Sequence, residues 1–210
     1  MAWFRAQIEK TGGNTFLSED ARRESRRAFL AEHPPGEDLW VFGYGSLMWN
    51  PAVHVAESRT VRVTGYRRSF CLHLMLGRAT PERPGLMLAL EEGGACVGVA
   101  HRIASDHVES ETDILWMREM LTGAYTPRWV EAHFEDGPRT ALTFVINTEH
   151  PRYAGALPAA EIARRIAHAE GLTGTNRDYL FRAAAHLREL GVADAHITEV
   201  EEAVKALAPP

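Results

Sequence analysis

The sequence predicts an α+β fold, in which a mixed or antiparallel sheet curls toward a small barrel with flanking helices and a helical C-terminal region. Two observations support this prediction. Short apolar segments bounded by Gly, Pro or charged turns fill the middle of the chain, and such segments are typical of strands. Helical patterns lie mainly before residue 38 and after residue 150. Because strands and helices do not alternate as βαβ units, a doubly wound parallel sheet is excluded.

Residues 1–38 are polar and mixed in charge, and they are predicted to form an N-terminal helical extension. Ser18 is a candidate N-cap followed by two acidic residues, and the helix should end near Glu32, before a Pro-Pro-Gly linker. Four apolar side chains could fold this extension against the rest of the chain: Phe16, Leu17, Phe29 and Leu30. We therefore divide the chain into this extension and a domain over residues 39–208.

The domain is predicted to begin with seven short strands and one interrupting helix. The strand bounds are Leu39–Tyr44, Thr60–Thr64, Ser69–Leu76, Leu86–Leu90, Cys96–Ile103, Trp129–Phe134 and Ala141–Ile146. The helix runs from about Asp106 to Leu121, with Ser105 as its N-cap and Gly123 just beyond its end.

The C-terminal region is predicted to contain three helices. The first covers Pro158–Glu170, with proline in its first turn. The second opens with a capping-box pattern between Thr175 and Asp178 and ends at Gly191. Asp194 should cap the third helix.

Charge and composition exclude several classes of protein. The chain has 210 residues, and its 23 basic against 28 acidic residues give a net charge of −5, so no broad cationic surface is expected for nucleic acid. No apolar run reaches the ~18–20 residues of a membrane span. The first residues lack the apolar segment of a signal peptide, which predicts a cytoplasmic location. Cys71 and Cys96 are then expected to stay reduced.

A glycine-rich segment offers the first candidate site. An apolar strand runs through Val41 and Phe42 directly into Gly43-Tyr44-Gly45-Ser46. Two glycines let successive backbone N–H groups point into one concavity, which suits an anion. The alternative is a glycine-rich bulge or tight turn, and so short a motif by itself favours that alternative. The pattern is neither a dinucleotide fingerprint nor a P-loop.

Glu119, at the end of the helix among the strands, is the second candidate. It lies among Trp116, Met117 and Met120 in the sequence, and a carboxylate in apolar surroundings has a raised pKa and can exchange protons near neutrality. The alternative is an exposed helix-end glutamate paired with a surface arginine such as Arg118. Helical periodicity alone favours this alternative.

Other chemistry has weaker support. Ten histidines are scattered without the H-E-x-x-H or Cys-x-x-Cys spacing of zinc sites, so neither a metal nor another cofactor is expected. Ser46 lacks the G-x-S-x-G setting of a serine hydrolase, and Cys71 lies in a predicted strand. Tyr153 follows a proline turn, where its phenol could reach a ligand or simply pack.

Taken together and in order, these motifs resemble the ChaC family of glutathione-specific γ-glutamylcyclotransferases over essentially residues 39–208. The similar segments are Phe42–Pro51, Pro84-Gly85, Gly98–Arg102, Arg118–Met120 with Gly123 and Tyr125, and Asn176 with Tyr179–Phe181. Ala79 departs from the pattern, because the family usually has glycine there.

The resemblance implies a γ-glutamylcyclotransferase-like fold, no cofactor and glutathione as a small-molecule substrate, which would be cyclised to 5-oxoproline with release of Cys-Gly. It implies that Glu119 is the general acid/base. The expected substrate-binding residues are Val41, Phe42, Gly43, Tyr44, Gly45, Ser46 and Tyr153. We expect a monomer or weak homodimer. Two alternatives stay open: the same reaction on other γ-glutamyl amino acids or amines, and a non-catalytic regulatory protein that binds an anion.

Overall fold

The computed structural model describes residues 16–207, which group into two compact units. The first unit contains residues 16–68 and 90–147, and the second contains residues 69–89 and 148–207. Residues 1–15, part of the expected extension, and residue 208, the last of the expected domain, lie outside the described residues. The division of the chain at residue 38 stays a prediction.

Within the described residues, the helices are α1 (Glu19–Leu30), α2 (Val108–Glu119), α3 (Ala159–His168), α4 (Asn176–Glu189) and α5 (Ala195–Leu207). The strands are β1 (Leu39–Gly43), β2 (Glu57–Leu74), β3 (Gly85–Ile103), β4 (Tyr125–Phe134), β5 (Gly137–Ile146), β6 (Glu170–Gly171) and β7 (Gly174–Thr175). None of the helices between residues 16 and 207 has the length and apolar character needed to cross a membrane.

Five strands close into a barrel in the order β1-β3-β2-β4-β5. Most neighbours are antiparallel, and β1 closes the barrel by pairing in parallel with β5 at Val41 and Leu142. All five residues of β1 are buried, as its continuous apolar sequence predicts. The predicted α+β class with a mixed sheet curled into a barrel is therefore confirmed.

Two pairs of predicted strands are in fact single long strands. The expected breaks after Thr64 and Leu90 fall inside β2 and β3. Glycines with positive φ occupy both positions, with φ of 85° at Gly65 and of 93° and 79° at Gly93 and Gly94. Glycine tolerates this conformation inside a strand, as in a bulge, so the chain continues through the bends that the sequence pattern suggested were ends.

Helix α1 packs on α2, as its apolar residues suggest. Its predicted N-cap is confirmed, because the Ser18 side chain accepts a hydrogen bond from the N–H of Ala21. Phe29 packs against Trp116 with ring centroids 5.6 Å apart, and Trp116 in turn contacts Phe144 of the barrel. The expected Ser105 cap of α2 is wrong: residues 105–107 form a 3₁₀ turn, and α2 begins at Val108 without a side-chain cap.

In the second unit, helix α4 is attached to a strand by one buried side chain. Asn176 accepts a hydrogen bond from the N–H of Leu86 at 2.8 Å and donates to the carbonyl of the same residue at 2.9 Å. The side chain thereby pairs with the backbone as a neighbouring strand would. The predicted capping box of Thr175 and Asp178 is confirmed, and the Asp194 side chain accepts from the N–H of Ile197.

Candidate active site

The glycine-rich segment forms a tight turn directly after β1. Residues 46–48 make one 3₁₀ turn, and the N–H of Met48 donates to the carbonyl of Gly45. The turn lies so close to the end of β1 that a Cβ on Gly43 would be 2.9 Å from Cβ of Leu47. The N–H groups of Gly45, Ser46 and Leu47 donate to no acceptor within residues 16–207, which leaves three backbone donors for a ligand.

Two buried side chains donate hydrogen bonds to carbonyl groups of this turn. Arg68 is only 4% exposed, and its guanidinium donates to the carbonyls of Tyr44 at 2.6 Å and Val97 at 2.8 Å. The Nε2 of His101 donates to the carbonyl of Leu47 at 2.9 Å, which leaves Nδ1 to accept from the Ser58 hydroxyl. The turn is therefore anchored through its own carbonyl groups, while the N–H groups of Gly45, Ser46 and Leu47 have no acceptor among residues 16–207.

Glu119 is the last residue of α2, and its side chain is 14% exposed. Its Oε1 lies 3.0 Å from Nε of Arg118. Burial raises the pKa of Glu119 above its usual range, and the charge and hydrogen bond of Arg118 oppose this increase without cancelling it. Each sequence interpretation was thus half correct: the carboxylate is largely buried with a raised pKa, and it is also paired with Arg118.

Arg118 connects Glu119 to the glycine-rich turn. Its Nη2 donates to the Ser46 hydroxyl at 2.8 Å, and its Nη1 donates to the carbonyl of Asn50 at 2.6 Å. One guanidinium therefore contacts the candidate acid/base and the candidate anion-binding turn at the same time.

The other expected site residues have different surroundings. The side chains of Val41 and Phe42 are buried in the barrel, and the carbonyl of Phe42 accepts a hydrogen bond from Thr143. The Tyr44 hydroxyl donates to the carbonyl of Phe144 at 2.7 Å. Tyr153 belongs to the second unit, where it forms an isolated bridge with Leu72. Substrate contacts by these four residues stay predictions.

Sequence reasoning missed Arg68, His101 and the link through Arg118 to Ser46. An arginine in an alternating strand is expected to face solvent, so nothing in the sequence marks Arg68 as buried. Cys71 and Cys96 are both buried, which disfavours either thiol as a nucleophile for an incoming substrate. Residues 16–207 contain no group of three His, Cys, Asp or Glu side chains suited to a metal ion.

Comparison with solved structures defines the class of fold. A yeast structure, described as a gamma-glutamyl cyclotransferase specific to glutathione, matches with a TM-score of 0.74 at 21% identity, covering 82% of this chain and 97% of that one. The barrel with its helices is therefore the fold of the gamma-glutamyl cyclotransferases.

The particular family follows from sequence comparison. The model of the family described as ChaC-like protein matches residues 39–207. A glutathione-specific gamma-glutamylcyclotransferase of Escherichia coli K12 is 44% identical over 191 residues, which is 90% of this chain and 83% of the relative. Glutathione-specific gamma-glutamylcyclotransferase 1 of Rattus norvegicus is 34% identical over 178 residues, 81% of this chain and 80% of that protein. The chain belongs to the ChaC-like family.

Proposed function

We propose that this protein cyclises the γ-glutamyl group of glutathione, releasing 5-oxoproline and Cys-Gly. The relatives named above carry this specificity in their names, and they cover most of the chain. The observation that carries the proposal is the joint placement of two groups: a buried glutamate with a raised pKa and a turn with three available N–H donors, connected by one arginine.

The substrate supplies its own nucleophile in this reaction. The α-amine of the γ-glutamyl group attacks the γ-carbonyl carbon and closes a five-membered lactam. The bond between that carbon and the cysteine nitrogen then breaks, and Cys-Gly leaves with a free amine. No serine or cysteine nucleophile is required. Holding the chain folded for this attack supplies much of the acceleration, since well-oriented intramolecular reactions reach effective molarities of ~10⁵ M or more.

Glu119 transfers the protons in this reaction. As a carboxylate it accepts a proton from the substrate ammonium, which frees the amine for attack. It gives this proton to the departing nitrogen, then takes the second proton from the ring nitrogen formed by the attack and passes it to the released amine, so Cys-Gly leaves as an ammonium and the carboxylate is regenerated at the end of each turnover. A raised pKa suits this double role, because the carboxyl group is closer in acidity to the groups with which it exchanges protons.

The turn after β1 binds the anionic end of the substrate. The N–H groups of Gly45, Ser46 and Leu47 can donate to the α-carboxylate of the γ-glutamyl group, or to the oxyanion that forms on the carbonyl oxygen. The Ser46 hydroxyl accepts from Arg118, which leaves its own proton for donation to the same ligand.

The test is direct. Purified protein is incubated with glutathione, and 5-oxoproline and Cys-Gly are measured by mass spectrometry in equal amounts over time. Glu119→Gln serves as the matched inactive variant. Absence of both products with the wild-type protein overturns the proposal, while formation from γ-glutamyl amino acids at an equal rate assigns the broader cyclotransferase activity.

Two further expectations depend on this proposal. Glutathione and reduced thiols are maintained in the cytosol, so the cytoplasm is the expected place of the reaction. A monomer or weak homodimer is expected. Light scattering after size-exclusion chromatography measures the oligomeric state.

A further inference from the structure

We propose that Arg118 is a positioning residue. It holds the Glu119 carboxylate at a fixed position relative to the glycine-rich turn and leaves one carboxylate oxygen for proton transfer. The catalytic meaning of this inference rests on the proposed function. Its structural basis is the set of contacts around one guanidinium, all within the first compact unit.

The contacts use all three guanidinium nitrogens on three different groups. Nε pairs with Oε1 of Glu119 at 3.0 Å, Nη2 donates to Oγ of Ser46 at 2.8 Å, and Nη1 donates to the carbonyl of Asn50 at 2.6 Å. The arginine therefore connects the end of α2 to both ends of the segment from residue 46 to residue 50. Lysine has one nitrogen and cannot reproduce this planar set of contacts.

The pairing makes the two oxygens of Glu119 different. Oε1 is held by Arg118, whereas Oε2 accepts no hydrogen bond from any residue between 16 and 207. Oε2 is therefore the atom available to exchange protons with a substrate nitrogen. Fixing Oε1 removes rotational freedom from the carboxylate, and this keeps Oε2 in one position relative to the bound substrate.

Arg118 also opposes the effect of burial on Glu119. Burial favours the neutral acid, while the positive guanidinium favours the carboxylate, which is the form that accepts a proton. From α2, Arg118 is the charged group that acts on Glu119. The facing segment presents uncharged groups to the arginine, namely the Ser46 hydroxyl and the Asn50 carbonyl. Removing the guanidinium should therefore raise the pKa of Glu119 further.

The experiment compares Arg118→Gln and Arg118→Lys with the wild-type protein across pH 5–9. Arg139→Gln is the matched control, because Arg139 makes a bidentate ion pair with Asp136 elsewhere on the barrel. We expect the acid limb of the pH profile to move to higher pH in Arg118→Gln and to remain near its wild-type position in Arg118→Lys. Both variants should raise KM about 10-fold or more, since each loses hydrogen bonds from a charged donor to the turn.

A second readout does not require activity. The carboxyl group of Glu119 is titrated by ¹³C NMR in protein labelled at the glutamate carboxyl carbon, and its signal is identified by its absence in Glu119→Gln. An upward shift of this titration in Arg118→Gln supports the inference even if glutathione proves not to be the substrate. An unmoved titration in folded Arg118→Gln overturns it, and so does an equal shift in Arg118→Lys, where the positive charge is retained.

Discussion

A Cβ atom on Gly98 would lie 2.3 Å from the carbonyl oxygen of Gly43. The same atom would be 2.8 Å from the ring of Phe42. Gly43 is the last residue of β1 and pairs with Val99 of β3, so β1 and β3 are in close backbone contact where the glycine-rich turn begins. The position of that turn therefore depends on the absence of a side chain on the neighbouring strand.

Gly98→Ala is expected to destabilise the protein and weaken glutathione binding. The added methyl group must displace either the backbone of Gly43 or the Phe42 ring, and overpacking of this kind costs about 1–3 kcal/mol. Thermal unfolding and KM are the measurements. Gly36→Ala is the comparison, because Gly36 has a φ of 78° and its Cβ would meet no atom of residues 16–207 within 4 Å, so alanine there adds a backbone penalty without a clash. Gly36→Ala should therefore leave KM unchanged, and an unchanged KM in folded Gly98→Ala would contradict the close approach.

Glu119→Gln should abolish turnover while leaving KM nearly unchanged. The amide preserves the shape and can still accept from Arg118, but it cannot carry the proton between the two nitrogens. General acid–base catalysis typically contributes ~10²–10⁴-fold, so kcat should fall at least ~100-fold. Glu131→Gln, at an exposed glutamate of β4, is the control with the same chemical change. Retention of more than about a tenth of the wild-type kcat would remove Glu119 from the proposed role.

Glu119→Gln should also be more stable than the wild-type protein at neutral pH. A carboxyl group whose pKa is raised on folding binds its proton more tightly in the native state, so its contribution to stability is lost as pH rises through the raised pKa. The amide of Glu119→Gln has no charge at any of these pH values, so it does not lose stability as pH rises. The gain in stability should disappear below about pH 4, which is under the usual pKa of glutamate, because the wild-type side chain is then also neutral.

Melting temperatures of both proteins between pH 3 and pH 8 test this prediction. Each kcal/mol corresponds to about 2–4 °C in a chain of this length. If the wild-type protein is the more stable of the two at pH 8, the stabilisation from the ion pair with Arg118 exceeds the cost of burying the charged carboxylate.

Tyr153→Phe is predicted to reduce kcat/KM for glutathione more than for γ-glutamyl-alanine. The prediction follows from the family resemblance, in which this tyrosine is our candidate for a ligand-facing residue. Contacts to the remote Cys-Gly portion help orient the γ-carbonyl, so their loss should lower kcat as well as raise KM. Parallel kinetics with the two substrates, and with γ-glutamyl-cysteine, give the comparison. Equal losses on all three would assign Tyr153 to general packing.

Catalysis should be independent of metal ions. The proposed reaction moves protons within one substrate, and no metal-suited cluster of ligands occurs among residues 16–207. Dialysis against EDTA should leave kcat unchanged. A loss of activity that Zn²⁺ or Mg²⁺ restores would show that the reaction needs a metal.

The secondary structure and the two candidate motifs could be predicted because local physics determines them. The capping box at Thr175 and Asp178 spans three residues, and the Ser18 cap requires only the first turn of its helix. The apolar strand that leads into Gly43 is equally local. The strand bounds were less accurate, because Gly65 and Gly93 bend strands that continue beyond them.

The sequence by itself therefore determined the fold class, the glycine-rich turn and Glu119 as the candidate acid/base. Only the tertiary structure decided what surrounds them. Arg118 and Ser46 are 72 residues apart in the chain, and Arg68 lies 24 residues from the carbonyl of Tyr44 that it holds. Periodicity and capping patterns extend over a few residues, whereas these contacts form only when distant strands and helix ends meet. The pKa of Glu119 is likewise a property of burial, which no local pattern specifies.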